Sequence, residues 1–291
     1  MKEESKIGLS NKIFMLTLFL FILFAVDYTG FSLNIQIMNY PGMFMIMAFL
    51  DTLILSYVIL NSKEYGFGLI LRIFLVFYTL KTLLVGMEAL YLTHILSWTV
   101  TQKLLINGAI TAFIYSGAAV VVLSKTEKSD NSKAEKSKDD IKKSLKDFIN
   151  FTGIVTTFGK IILAGGVWTL LYIIFGAFLF KDIALLINAT TTLQYLNEFG
   201  QILPLSLIFQ FLRGIVWVIL SLPIIYTIKG GLAKRAAITG LVFSILMATT
   251  LLIPTQLPFF IQTAYFIELF FADFLFGVIV VIIFFFKRKK S

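Results

Sequence analysis

Cysteine is absent from all 291 residues, so disulfides, thiolate metal sites and cysteine nucleophiles are excluded. Histidine occurs once, as His94, and a multi-histidine metal site is excluded with it. Charge is scarce as well, with Asp, Glu, Lys and Arg making up 14% of the chain where a soluble domain carries roughly 25%. No Gly-rich phosphate loop is present, because Lys229-Gly230-Gly231 lacks the preceding strand and the following Lys-Ser/Thr. Tyr115-Ser116-Gly117 matches the nucleophile pattern of intramembrane serine proteases, but no histidine follows it to serve as base. The paired-Asp and His-Glu-x-x-His patterns are missing too, so no catalytic residue, cofactor site or metal site is assigned.

What fills the chain is apolar: 58% hydrophobic residues, including 31 Phe and 11 Tyr, at a mean hydropathy of +0.92. So many aromatic side chains cannot be buried in a water-soluble core of this length, and they require lipid as solvent. A bilayer core takes about 20 apolar residues per helix. Stretches near 12–28, 41–60, 67–91, 104–124, 157–180, 202–226, 236–254 and 262–286 fit that length. The expectation is an all-α integral membrane protein of about eight transmembrane helices. The first run follows Lys2, Lys6 and Lys12 as a secretion signal would. It continues into Asp27-Tyr28-Thr29 instead of a small-residue cleavage site, and reads as a retained anchor.

The net charge of +9 is not a nucleic-acid signature, because the basic residues sit between apolar runs. With the N-terminus placed in the cytoplasm, the inner segments hold 21 of the 25 Lys and Arg, counting Arg72 and Lys160, whose long side chains can reach the interface. The outer loops hold Lys103 and Lys181 only. By the positive-inside rule both termini are cytoplasmic, in a cell (inner) membrane.

The chain divides at 125–147, where eight Lys and six acidic residues form the only long hydrophilic segment. Such a segment buries too little apolar surface to offset its chain entropy, and reads as a flexible cytoplasmic linker. Residues 1–124 and 148–291 then form two four-helix membrane halves. After the linker, Ile141, Leu145, Phe148, Ile149 and Phe151 recur at helical spacing opposite Lys142, Lys143 and Lys146, as in an interfacial amphipathic helix. The segment 181–201 reads as the longest outer loop, and its Asn188-Ala189-Thr190 fits the glycosylation pattern. The linker and the basic C-terminus are the places where a protein partner would dock.

Laying residue 49 on residue 211, an offset of 162, puts Phe49-Leu50-Asp51 on Phe211-Leu212-Arg213 and superimposes three consecutive spans. The spacing suggests an internal duplication. An even number of spans per half makes the repeats parallel, related by an axis along the membrane normal.

Four charges fall deep inside spans: Asp51, Lys81, Arg213 and Asp273. A charge at the bilayer centre costs about 2.5–3.5 kcal/mol on insertion scales and normally has a partner or faces water. Counted from the ends of the apolar runs, all four lie at one depth. The expected pairs are Asp51 with Lys81 and Arg213 with Asp273, directly or through a shared polar cavity, with Asp51–Arg213 as the alternative. Nearer the outer face, Asp27, Glu88, Glu198 and Glu268 are candidates for a cation vestibule or are simply hydrated, Glu88 and Glu268 foremost. Ala236-x-x-x-Gly240 is a small-residue pair that allows close helix approach.

The segments Lys81-Thr-Leu-Leu-Val-Gly-Met-Glu88-Ala-Leu-Tyr91, Phe211-Leu-Arg213-Gly-Ile-Val-Trp217 through Leu222-Pro223, and Phe266-Ile-Glu268 with Phe274-Leu-Phe-Gly277 resemble a bacterial family of polytopic membrane proteins to which no activity is assigned. The chain departs from that family at Tyr265, where the family has His. The resemblance implies a bacterial inner-membrane location and no particular chemistry. Three functions fit the residues: a transporter or channel-like protein moving a small solute or ion past the midplane charges, a non-catalytic membrane subunit or sensor whose ion pairs are structural, and an intramembrane enzyme.

Overall fold

The computed structural model describes residues 8–28, 40–91, 97–126, 151–186, 189–252 and 259–285; at 89, 91, 151–154, 177–186, 189–205, 259–261 and 264 only the backbone is described. Among these residues the secondary structure is helical. The elements are α1 (Leu9–Val26), α2 (Pro41–Leu60), α3, α4 (Trp98–Val122), α5 (Phe151–Leu186), α6 (Ala189–Thr227), α7 (Leu232–Ala248, ending in a tight turn Thr249–Leu252) and α8 (Phe259–Phe285). Helix α3 runs from Gly66–Tyr78 through a wide π turn, Thr79–Leu83, into Leu84–Tyr91. Among the described residues eight helices are long and apolar enough to cross a membrane, and the chain is a multi-pass all-α membrane protein. Lipid offers the backbone no hydrogen bonds, so each span closes its own ladder and turns its surplus Phe, Ile and Leu outward, as at Phe14, Phe67, Phe158 and Ile106.

The sequence boundaries need correction in one region. The stretch 181–201, expected as an outer loop, is helical at 181–186, the end of α5, and at 189–201, the start of α6; residues 187–188 lie outside the described residues. The linker beyond Thr126, the amphipathic segment up to 150, His94, Asn188 and the basic C-terminus lie outside the described residues, as do the side chains of Lys181 and Glu198.

Helices α1–α4 pack as α1 on α2, α3 on α4 and α1 on α4, and helices α5–α8 as α5 on α6, α7 on α8 and α5 on α8. The two sets touch through α2 on α7 and α3 on α6, so α2, α3, α6 and α7 meet at the centre.

One end of the bundle gathers the basic side chains. There Lys12 Nζ donates to Ser124 Oγ at 3.1 Å, and Lys160 Nζ donates to the Phe284 carbonyl at 3.3 Å. Each lysine thus ties the first helix of its set to the last, and Lys160 also satisfies an orphan carbonyl at the end of α8. At the same end the α2–α3 and α6–α7 turns join by an antiparallel bridge between Ser62 and Ile228. The Lys63 N–H donates to the Thr227 carbonyl and the Lys229 N–H to the Asn61 carbonyl, both at 2.8 Å. Lys234 Nζ reinforces the bridge with a 2.6 Å bond to Asn61 Oδ1. Burial, and then the charge of Lys229, hold the Lys125 ammonium below the usual lysine range at this crowded end. Gly66 starts α3 at φ +62°, where an L side chain is strained, and its N–H donates to the Lys125 carbonyl.

Glycine sets a close crossing of α7 and α8. A Cβ on Gly277 of α8 would stand 2.7 Å from the Gly240 Cα of α7, backbone against backbone. Gly240 belongs to the small-residue pair seen in the sequence, and its unsuspected complement is Gly277.

Candidate functional site

Helix α3 carries charges on one face at Lys81 and Glu88, seven residues and about 10 Å apart along its axis. Each belongs to a separate polar cluster at the junction between the two helix sets.

The first cluster is closed. Asp51 of α2 is fully buried and Lys81 is 5% exposed, and Lys81 Nζ lies 2.9 Å from Asp51 Oδ2. Thr249 of α7 completes it: its hydroxyl accepts from Lys81 Nζ at 2.7 Å and lies 2.7 Å from Asp51 Oδ1, to which it can donate. The Lys81 ammonium also stands 5.7 Å from the centre of the Phe24 ring. Next door, Tyr115 Oη donates to Thr52 Oγ1 at 2.9 Å. Lys81 projects from the π turn, whose extra residue per turn redirects side chains locally. The expected Asp51–Lys81 contact is present; the alternative contact of Asp51 with Arg213 is not.

The second cluster is different. Arg213 of α6 is 2% exposed, and its Nη1 lies 2.9 Å from Glu88 Oε2 and 3.4 Å from Gln210 Oε1. Gln210 Oε1 also accepts from Trp168 Nε1 at 2.9 Å, and the guanidinium sits 5.6 Å from the Trp168 ring centre. Arg213 therefore pairs across the junction with Glu88 and makes no direct ion pair with Asp273. Equal depth counted along two apolar runs does not say which helices face each other: α6 packs on α3, and that contact brings Glu88 to the guanidinium. Midplane and vestibule candidates thus merge: Arg213, Asp273, Glu88 and Glu268 share one cluster, each of the other three acting electrostatically on Asp273. Tyr172 of α5 borders the same charges and Ser206.

Much of this cluster's hydrogen-bonding capacity is unspent. Asp273 is fully buried, and neither carboxylate oxygen has a hydrogen-bond partner among the described residues. Arg213 leaves Nε and Nη2 unpaired, Gln210 leaves Nε2, and Trp217 leaves Nε1. With Ser221 Oγ, also unpaired, and Ser206, which the Tyr172 hydroxyl engages, these residues form a stripe down one face of α6 at 206, 210, 213, 217 and 221. The stripe spans about 22 Å at ~1.5 Å per residue. Its rim on one side is aromatic: Trp168, Trp217 and Phe276 pack with ring centres 4.7–5.1 Å apart.

Ser116, from the protease-like tripeptide, donates to the Ala112 carbonyl of its own helix at 2.7 Å. Among the described residues no group of three or more His, Asp or Glu is arranged to hold a metal ion. Asp27 is buried near the end of α1.

No protein-family model matches the chain, and neither do curated proteins or solved structures. The class is therefore defined by fold and site alone: a multi-pass helical membrane protein with a buried polar cluster between two four-helix sets.

Proposed function

We propose that this chain is a transporter or channel-like protein of a cell membrane, built from two parallel four-helix repeats that bind and pass a small solute at their junction. The observation that carries this reading is the α6 stripe. Buried polar groups are normally hydrogen-bonded, and leaving one unmade costs about 1–3 kcal/mol, more for a charge. Four residues with unspent groups in register along α6, Arg213 among them, together with the unpaired Asp273 of α8, suit a route for a polar solute better than a packing seam.

The repeat reading is supported by the matching pairings, the equivalent ties of Lys12 and Lys160, and a bridge that joins like positions of two like turns. In that frame the basic end is cytoplasmic, by the positive-inside rule. The bridge closes the route at that end. The closed Asp51–Lys81–Thr249 cluster favours a second role for part of the charge set, that of a structural lock holding α2, α3 and α7 in register.

The cysteine-free sequence makes the test direct. A single thiol placed by Ser206→Cys, in oriented vesicles, is expected to react with a small membrane-impermeant thiol reagent added outside. If that thiol reacted only after denaturation, the junction would be dry and the subunit reading would replace this one.

A further inference from the structure

We infer that the α6–α8 cluster takes a small zwitterion, a ligand with one carboxylate and one ammonium group in the manner of glycine. This rests on the proposed solute site and specifies its occupant. Glu88 engages Arg213 through Nη1, which leaves the Nε–Nη2 edge unpaired and 98% of the side chain buried. That edge presents two parallel N–H donors, the geometry that grips a carboxylate side-on with two bonds. Gln210 Nε2 and Trp217 Nε1 add unspent donors on the same helix face, one turn to either side. The donor wall is complete and asks for an anionic acceptor.

Helix α8 supplies the reverse. Asp273 offers two buried oxygens with no donor, and Glu268, five residues earlier on α8, adds acidic character. Glu88 takes the one paired nitrogen of Arg213, so Asp273 on the α8 side is still left with two buried oxygens and no hydrogen-bond donor. A simple anion would leave that need unmet and a simple cation would leave the guanidinium edge empty. A zwitterion meets both and brings no net charge into the membrane. The rings of Trp168, Trp217 and Phe276 are already packed on one another, which favours a ligand with little or no side chain.

The test uses the full-length protein in detergent, with glycine, glycine methyl ester (cation only) and N-acetylglycine (anion only) as probes. Two of the three tryptophans, Trp168 and Trp217, border the site, so intrinsic fluorescence reports binding beside thermal stability. Glycine is expected to raise the melting temperature and change the fluorescence saturably, each blocked derivative at least tenfold less effectively. Asp273→Asn and Arg213→Lys should weaken glycine binding at least tenfold; the second keeps the charge and loses the two-pronged edge. Equal potency of the ester, or of the N-acetyl compound, would overturn the zwitterion assignment in favour of a plain cation or anion site. No response to any probe would also overturn it. A Ser206→Cys thiol that still reacts from outside would then show that the solute route stands while its assigned occupant falls.

Discussion

Asp51 and Lys81 give the sharpest stability forecast. Both are buried, at 0% and 5% exposure, and their charged atoms are 2.9 Å apart. Asp51→Asn strands an ammonium, and Lys81→Met strands a carboxylate, each in a place that neither water nor a second counter-ion reaches. Breaking a buried pair in this way costs about 3–5 kcal/mol, whereas exchanging both partners for neutral groups is often close to neutral. The double variant is therefore expected to be more stable than either single variant, with a coupling energy on the order of 3 kcal/mol. Thr249 sharpens the forecast, since its hydroxyl touches both charges at 2.7 Å. Thr249→Val should cost about 1–3 kcal/mol, while Thr249→Ser retains the bond and costs less. The assay is reversible unfolding in mixed micelles, supported by folded yield after membrane insertion. Additive single and double effects would refute the claim that these residues form an ion pair in the folded protein.

Gly277→Ala should destabilise by about 1–3 kcal/mol in the same assay, since its methyl group meets Gly240 backbone at 2.7 Å and neither helix can yield without losing other contacts. Gly159→Ala has open space around it and should be neutral or slightly stabilising. Reporters inserted at Ser132 and at Asn188 should report opposite sides of the membrane; the same side for both would contradict the cytoplasmic assignment of the basic end.

The fold was legible because lipid imposes a simple rule, that about 20 apolar residues make a helix, and seven of the eight runs met it plainly. The Asp51–Lys81 contact was legible for a related reason: α2 and α3 are joined by a tight turn, so depth counted along them is well defined. Arg213 defeated the same counting because depth does not say which helix faces it: α6 packs on α3, so Glu88 and not Asp273 meets the guanidinium. Its true partner, Glu88, was visible in the sequence as a carboxylate but placed in a separate vestibule. Thr249 carried no signal, since a lone threonine in an apolar span is ordinary until the charges around it are located. Gln210, Arg213 and Trp217 did carry one: polar-capable residues at i, i+3 and i+7 share a helix face.

The central claim is that a solute route runs along α6 and is shut at its basic end by the Asn61–Lys63 and Thr227–Lys229 turns. Ser221 lies at the deep end of the stripe, and Ser62 and Ile228 face each other across the closure. Flanked by both bridge bonds, Ser62 and Ile228 form a non-hydrogen-bonded pair, whose Cα atoms lie about 4.5 Å apart, within reach of a disulfide. The measurement is the rate at which a Ser221→Cys thiol, in a chain that has no other cysteine, reacts with impermeant reagent applied from the basic side of oriented vesicles. For the locked arm, Ser62→Cys and Ile228→Cys are introduced and oxidised before Ser221→Cys is probed with a mercury-based reagent, and reduction then releases the lock. The account predicts measurable labelling without the lock, at least tenfold slower labelling with it, and recovery on reduction. Labelling that is absent in every arm, or indifferent to the lock, would contradict a route gated at these turns.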